Sequence, residues 1–169
     1  WGEVPGTTSI TYEPNEGETG VVKTISGLPI NSTHEVIGKP EGWSKNGYYF
    51  TGWNTAANGS EDSYQPGQNV ILDNSSPNVL YAQWKKCTPV TFTANSEEKT
   101  YNGQVQTITG YTTGLPAGYT VTGLTASGSG KDVNDYDITF SGNPIIKNAE
   151  TQDVTEQYSI TYKKGTLTI

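Results

Sequence analysis

The sequence predicts a mainly β protein made of two small modules in tandem, residues 1–86 and residues 87–169. Three observations lead there. Apolar residues alternate with polar ones along the whole chain, while helical spacing hardly appears. Thr, Tyr and Val, which suit a pleated and half-buried surface, are interspersed with Gly and Asn, which suit turns. The alternating series breaks at "KKCTP", after which a second series begins.

In the first series the expected strands are "SITYE" (Ser9 to Glu13), "GVVKTI" (Gly20 to Ile25), "YYFTGW" (Tyr48 to Trp53), "NVIL" (Asn69 to Leu72) and "VLYAQW" (Val79 to Trp84). The last is the clearest, with Leu80, Ala82 and Trp84 on one face. "NEGETG", "AANGSED" and "QPGQ" supply the turns. In "KKCTP", Pro89 fixes one backbone torsion, so the connection reads as a short, semi-rigid linker. Beyond it the expected strands are "VTFTA" (Val90 to Ala94), "YTVTGL" (Tyr119 to Leu124), "YDITF" (Tyr136 to Phe140), "YSITY" (Tyr158 to Tyr162) and "GTLTI" (Gly165 to Ile169). "NAETQDVTEQ" (Asn148 to Gln157) has room for one helical turn.

Composition narrows the function. Only 32% of residues are hydrophobic and 16% charged, yet four Trp, eleven Tyr and three Phe are present, so folded β layers are favoured over disorder. The net charge is −7 and all ten basic residues are Lys. Without arginine forks, neither nucleic acid nor an anionic membrane surface is an expected partner. Cys87 is the single cysteine, so no disulfide forms within the sequence, and Met is absent. The chain starts at Trp1 and has no apolar run fit for a signal peptide or membrane span. It therefore reads as a piece of a longer protein, with any export signal or anchor outside it.

"GYYFTGWNTAANG", followed downstream by "VLYAQW", resembles the Listeria–Bacteroides repeat, the internalin B-repeat family. The matching positions are Gly47, Tyr48, Phe50, Gly52, Trp53, Thr55, Gly59, Leu80, Tyr81, Ala82 and Trp84, and the resemblance covers residues 8–86. It implies a β-grasp-like module of a bacterial surface protein. One departure is Asn15-Glu16-Gly17, where the family has Asn followed by paired glycines. "KTYNG" (Lys99 to Gly103), "GYTVTGLTASGSGKDVNDYDI" (Gly118 to Ile138) and "QDVTEQYSITYKKGTLTI" (Gln152 to Ile169) resemble the MBG/YDG-type modules of large bacterial adhesins. That resemblance implies a β-sandwich-like (Ig-like) second module. Asn102 stands where such modules often have Asp.

Candidate chemistry is sparse. His34 is the sole histidine, in "NSTHEV", and neighbours along a loop do not build a catalytic triad, so a surface histidine is expected. Cys87 has no activating neighbour and reads as a linker residue. Glu97-Glu98 and Glu61-Asp62 fall in turns, as solvated charge. In "KDVNDYDI", Asp132, Asn134, Asp135 and Asp137 carry calcium-type oxygens. Tyr136 nevertheless occupies the third alternating ligand position, and the segment reads as a turn into a strand. No metal, cofactor or catalytic residue is expected, and no Lys–Asn or Lys–Asp pair is marked for a cross-link.

The aromatic residues carry the one binding argument. Strict alternation would put Tyr48 and Phe50 on one face and Tyr49, Thr51 and Trp53 on the other. A bulge at Gly52 shifts the parity by one, bringing Tyr48, Phe50 and Trp53 together against Leu80, Ala82 and Trp84 as a core. Trp43, in the polar loop "KPEGWSKNG", and Tyr49, pointing away from that core, are the candidates for a ligand-binding patch if exposed together, although a lone loop Trp more often covers a domain edge. The expected function is non-enzymatic: a spacer pair in an extracellular bacterial surface protein, a stalk or adhesin presenting other domains. Neighbouring modules of the same chain are its expected contacts, and the pair itself is expected to be monomeric. The alternative is an adhesin module that recognises mucin-type glycans or a host protein.

Overall fold

The computed structural model of the chain describes residues 6–74 and 78–169. They fall into two compact units, Trp1–Lys86 and Cys87–Ile169. Secondary structure is almost entirely β, as the alternation predicts.

The first unit contains β1 (Thr7–Glu13), β2 (Lys23–Pro29), β3 (Thr33–Glu35), β4 (Tyr48–Asn54), β5 (Ser63–Tyr64), β6 (Asn69–Ile71) and β7 (Asn78–Lys86). Five of them form a mixed sheet in the order β2-β1-β7-β4-β5. Its central pair, β1 and β7, runs parallel, with Tyr12 opposite Leu80, and the flanking pairings are antiparallel. A parallel central pair between antiparallel neighbours is the β-grasp arrangement. No helix covers the sheet among the described residues. Irregular chain does so instead, contributing Val36, Trp43 and Leu72 to a core with Ile10, Tyr12, Trp53, Leu80 and Ala82. β3 and β6 pair as a small separate ribbon.

The expected strand at Gly20 to Ile25 starts late. Val21 and Val22 are exposed, and β2 begins only at Lys23. Gly20 has φ +144° and lies against the Trp43 ring, so the chain turns there rather than running straight.

The second unit contains β8 (Thr88–Ala94), β9 (Glu97–Glu98), β10 (Gln106–Thr109), β11 (Tyr111–Thr113), β12 (Thr120–Gly130), β13 (Asp135–Lys147), β14 (Tyr158–Lys163) and β15 (Gly165–Thr168), with a 3-10 turn at Thr155–Gln157. The strands form two sheets, β10-β12-β13-β15-β9 and β11-β8-β14. One core cluster joins Phe92 of β8 to Leu124 and Ile146, and another joins Ala94 of β8 to Ala126, Ile138 and Leu167. Both clusters draw on both sheets, so the unit is a sandwich. Phe92, Tyr111, Phe140 and Tyr162 add a ring of aromatic contacts with centroids 5.0–6.0 Å apart.

The expected linker shrinks to one residue. β7 ends at Lys86 and β8 starts at Thr88, leaving Cys87 outside the strands. Pro89 lies inside β8, in a stretch bordered only by β14, where a missing N–H is tolerated.

The β12–β13 hairpin depends on two glycines. Its register shifts between Thr122 and Leu124, where Gly123 has φ +76° and Gly142 faces Leu124 with φ +100°. A Cβ on Gly142 would fall on the Gly123 carbonyl oxygen, and a Cβ on Gly123 on that of Asn143. Gly142→Ala is therefore expected to cost about 2–3 kcal/mol. Urea unfolding of the whole chain, followed at the amides of Leu124 and Ile146, measures that loss.

Candidate functional site

Trp53 anchors the aromatic cluster of the first unit. It sits on β4 one residue after Gly52, whose φ is +136°. The β4–β7 register runs Phe50 opposite Trp84, then Gly52 opposite Gln83 and Trp53 opposite Ala82, so one extra residue is accommodated at Thr51. Phe50 and Trp53 consequently share a face, as the bulge at Gly52 predicts, and their rings meet at 5.1 Å. Trp53 is also edge-on to Tyr12 at 4.8 Å and to Trp43 at 5.8 Å, and its Nε1 donates to the Ile37 carbonyl at 2.8 Å. Leu80 and Ala82 are buried beneath these rings, and Trp84 is half-buried beside Phe50.

Two expected placements are corrected. Trp43 is not exposed: at 4% exposure it belongs to the core. The polarity of its loop hid this. Without a helix over the sheet, residues 36–43 supply the cover, and the indole is the largest apolar group they carry. Tyr49 is half-buried, and alternation along β4 points it away from the face that Trp43 covers. The two therefore form no shared patch. Tyr48, expected in the core, is instead 39% exposed. It pairs with Lys86 at the end of the strand, beyond the last core residue, and the Lys45 ammonium lies 4.5 Å over its ring.

One organising residue gave no signal in sequence. Asn54 is buried with its side chain fully used: Nδ2 donates to the Glu61 carbonyl and Ser63 Oγ, and Oδ1 accepts from the Ala56 and Glu61 amides. It holds the 55–61 loop shut. The adjacent turn "NTAANG" hinted at a loop, but not that its first asparagine points inward.

His34 is tied into the core edge rather than free on the surface. The Tyr12 hydroxyl lies 2.8 Å from its Nε2 and also accepts, at 3.4 Å, from the Ile37 amide. The direction of the Tyr12–His34 bond follows the His34 tautomer: the hydroxyl donates to an unprotonated Nε2 and accepts from a protonated one. Burial pushes the His34 pKa below its ordinary value of 6.5, against the opposing pull of Glu35. Burial likewise raises the Tyr12 phenol, which stays protonated.

The Cys87 thiol donates to the Glu156 carbonyl, and burial together with the Glu156 charge pushes its pKa up, away from a reactive thiolate. In "KDVNDYDI" the acidic groups are separately engaged. Asp135 accepts from Thr168 Oγ1, Asp137 pairs with Lys164, and the Tyr136 hydroxyl bonds the Asp132 backbone. Among the described residues no three His, Cys, Asp or Glu side chains cluster as a metal site.

Residues 9–83 match the family described as the Listeria-Bacteroides repeat domain, a repeat found in surface proteins. Two proteins of Evansella cellulosilytica are similar to this chain. One, provisionally named a membrane protein, is 35% identical over 75 residues, 44% of this chain. The other, provisionally named a Gly-rich membrane protein, is 31% identical over 116 residues, 68% of this chain. The latter match is longer than the first unit and so reaches into the second. The chain spans about a tenth of each relative, 11% of its length. No solved structure gives a significant match.

Trp43→Ala is expected to cost the first unit about 3–5 kcal/mol, the range for deleting a buried tryptophan, whereas Tyr49→Ala costs less than half of that. Tryptophan fluorescence during urea unfolding checks both, since all four tryptophans lie in this unit. The depressed His34 pKa means the unfolded chain binds the extra proton first. The stabilisation is complete above pH 6.5 and declines as pH falls below that value. A lower melting temperature at pH 5 than at pH 7.5, with a smaller drop in His34→Gln, is the expected result.

Proposed function

We propose that this chain, whose first unit is a Listeria-Bacteroides repeat domain, is a non-enzymatic spacer pair of a bacterial cell-surface protein, extracellular and monomeric. One observation carries the reading: the largest buried rings of the first unit, Trp43 and Trp53, are spent on its core. Trp43 and Trp53 are buried around Tyr12, and the expected recognition pair of Trp43 and Tyr49 is split between two faces. A module that uses its largest rings to hold a thin sheet together is built to persist outside the cell rather than to present those rings. The match to small fractions of much longer proteins named for the membrane supports a place within a multi-module chain. The second unit is, in this reading, an MBG/YDG-type sandwich serving the same purpose. Nucleic acid, metal and cofactor have no part in it, and contacts are with neighbouring modules. The adhesin alternative loses its candidate patch when Trp43 moves into the core.

The test is a swap in the whole protein. Exchanging residues 1–169 for an unrelated β-module pair of equal length is expected to preserve surface display and the reach of the flanking domains. Loss of attachment to host cells or mucin with display intact would contradict the spacer role.

A further inference from the structure

We infer that the second unit carries a docking groove for an extended segment of another polypeptide, which adds as a short antiparallel strand to the free edge of β13. The groove has a volume of about 650 Å3, within the range of built binding sites. The inference goes beyond the spacer reading and does not rest on it.

The groove follows from a strand that changes sheets. β15 borders β13 only from Asp135 to Ile138, the last of which faces Gly165. Just before Gly165 the chain crosses at Lys164 from β14, which belongs to the other sheet. From Thr139 to Gly142, β13 therefore has β12 on one side and no strand on the other. The Asn134 carbonyl, which accepts from the Ile169 amide, faces the β15 side. Successive residues alternate their N–H and C=O between the two sides, so Phe140 and Gly142 turn theirs to the open edge.

The slot beside that edge is apolar and already formed. Tyr162 of β14 stands across it, with ring centroids 5.0 Å from Phe140 and 6.0 Å from Phe92, yet it is 45% exposed. Leu124 and Pro144 complete the apolar lining. Gly142 falls on the same face as Phe140 and has no side chain to fill the space. A guest residue opposite Gly142 points between Phe140, Pro144 and Tyr162, where an apolar side chain would cover the exposed ring.

The two ends of the edge decide the occupant. Pro144 has no N–H to offer, and the register against β12 slips between Gly142 and Ile145. At the other end Gly165 already holds the place opposite Ile138. Only a strand of about four or five residues fits between them. A second copy aligned edge to edge is shut out. Pairing its Phe140 with Gly142 would set its Pro144 against Ile138, where Gly165 lies.

Charge adds one requirement. Lys164 is the charged residue of the lining, and it lies at the Gly165 end. Its partner is Asp137 at 2.7 Å, with both side chains well exposed, and such a pair exchanges at little cost. An antiparallel guest continues the line of β15, so its downstream end meets Lys164. The segment that fits carries an apolar residue opposite Gly142 and an acidic residue at that downstream end.

The experiment is an amide NMR titration of the whole chain with capped peptides Thr-X-Thr-Val-Thr-Glu, in which X is Ala, Val, Leu or Phe. Shifts at the Phe140 and Gly142 amides are expected, largest with Leu or Phe at X. Methylating the Val nitrogen, which removes the N–H that the Phe140 carbonyl accepts, is expected to abolish them. Replacing the Glu by Lys is expected to weaken binding about fivefold, as for an exposed charge pair. In Lys164→Gln the Glu and Lys peptides should bind alike, with a melting temperature close to the parent's. No shift at these two amides, equal binding of the methylated peptide, or an unchanged preference for Glu in Lys164→Gln would overturn the groove. Concentration-dependent shifts there without peptide would assign the edge to a second copy and overturn it equally.

Discussion

The first unit depends on the phase of β4, and that phase is set at Gly52. A sheet strand puts alternate side chains on opposite faces, so Phe50 and Trp53, three positions apart, belong on different sides of a regular strand. The bulge absorbs one residue and brings both to the core face. Only then can Trp53 touch Tyr12, Trp43 and Phe50 together. Edge-to-face pairs contribute about 0.5–1.5 kcal/mol each beyond their burial, so three around one indole rival much of a small domain's net stability. Ile10, Val36, Leu72, Leu80 and Ala82 pack around these rings.

The second unit builds its core differently. Its buried aliphatics are spread thinly between two sheets, and the long β12–β13 hairpin lets strands of both clusters stay in register. Gly123 and Gly142 approach each other where no side chain fits, and Thr155 Oγ1 accepts the Ile146 amide to pin the far end of β13. In both units, glycine placed inside a strand is structural: the sheet bends there so that aromatic and β-branched residues can reach the core.

Much of this was legible in the sequence because period-two alternation survives where one face of a strand is buried. "VLYAQW", "YYFTGW" and "VTFTA" declared their strands, "VLYAQW" the inward face of Leu80 and Ala82, and Gly52 within "YYFTGW" the bulge. What failed had a physical cause in each case. Trp43 lies among Pro, Glu, Ser and Lys, and local polarity says nothing about which loop must roof a sheet that lacks a helix. Tyr48 obeys the parity of its strand but sits past the end of the core. Val21 and Val22 looked like strand residues, yet Gly20 turns the chain against Trp43. β10 and β11 were missed because Gly110, at φ +94°, breaks a short Thr-rich run into two strands that join different sheets. Asn54 bonds only within its own loop, where composition does not say which asparagine turns inward. Asn15 and Trp84 are fixed by carbonyls forty or more residues away, which no local pattern contains.

The first unit is held together by a few well-placed rings. The bulge is the point on which that arrangement rests. Equilibrium unfolding of Gly52→Ala, with near-ultraviolet circular dichroism of its tryptophans, tests it directly. At φ +136° an alanine is strained, and its Cβ would lie 2.7 Å from Gln65 Nε2 and 3.1 Å from the Tyr64 carbonyl oxygen. The expected result is a loss of about 2–3 kcal/mol from the first unit together with a collapsed tryptophan signal. A change within about 0.5 kcal/mol and an unaltered tryptophan spectrum would show that the bulge does not set the core.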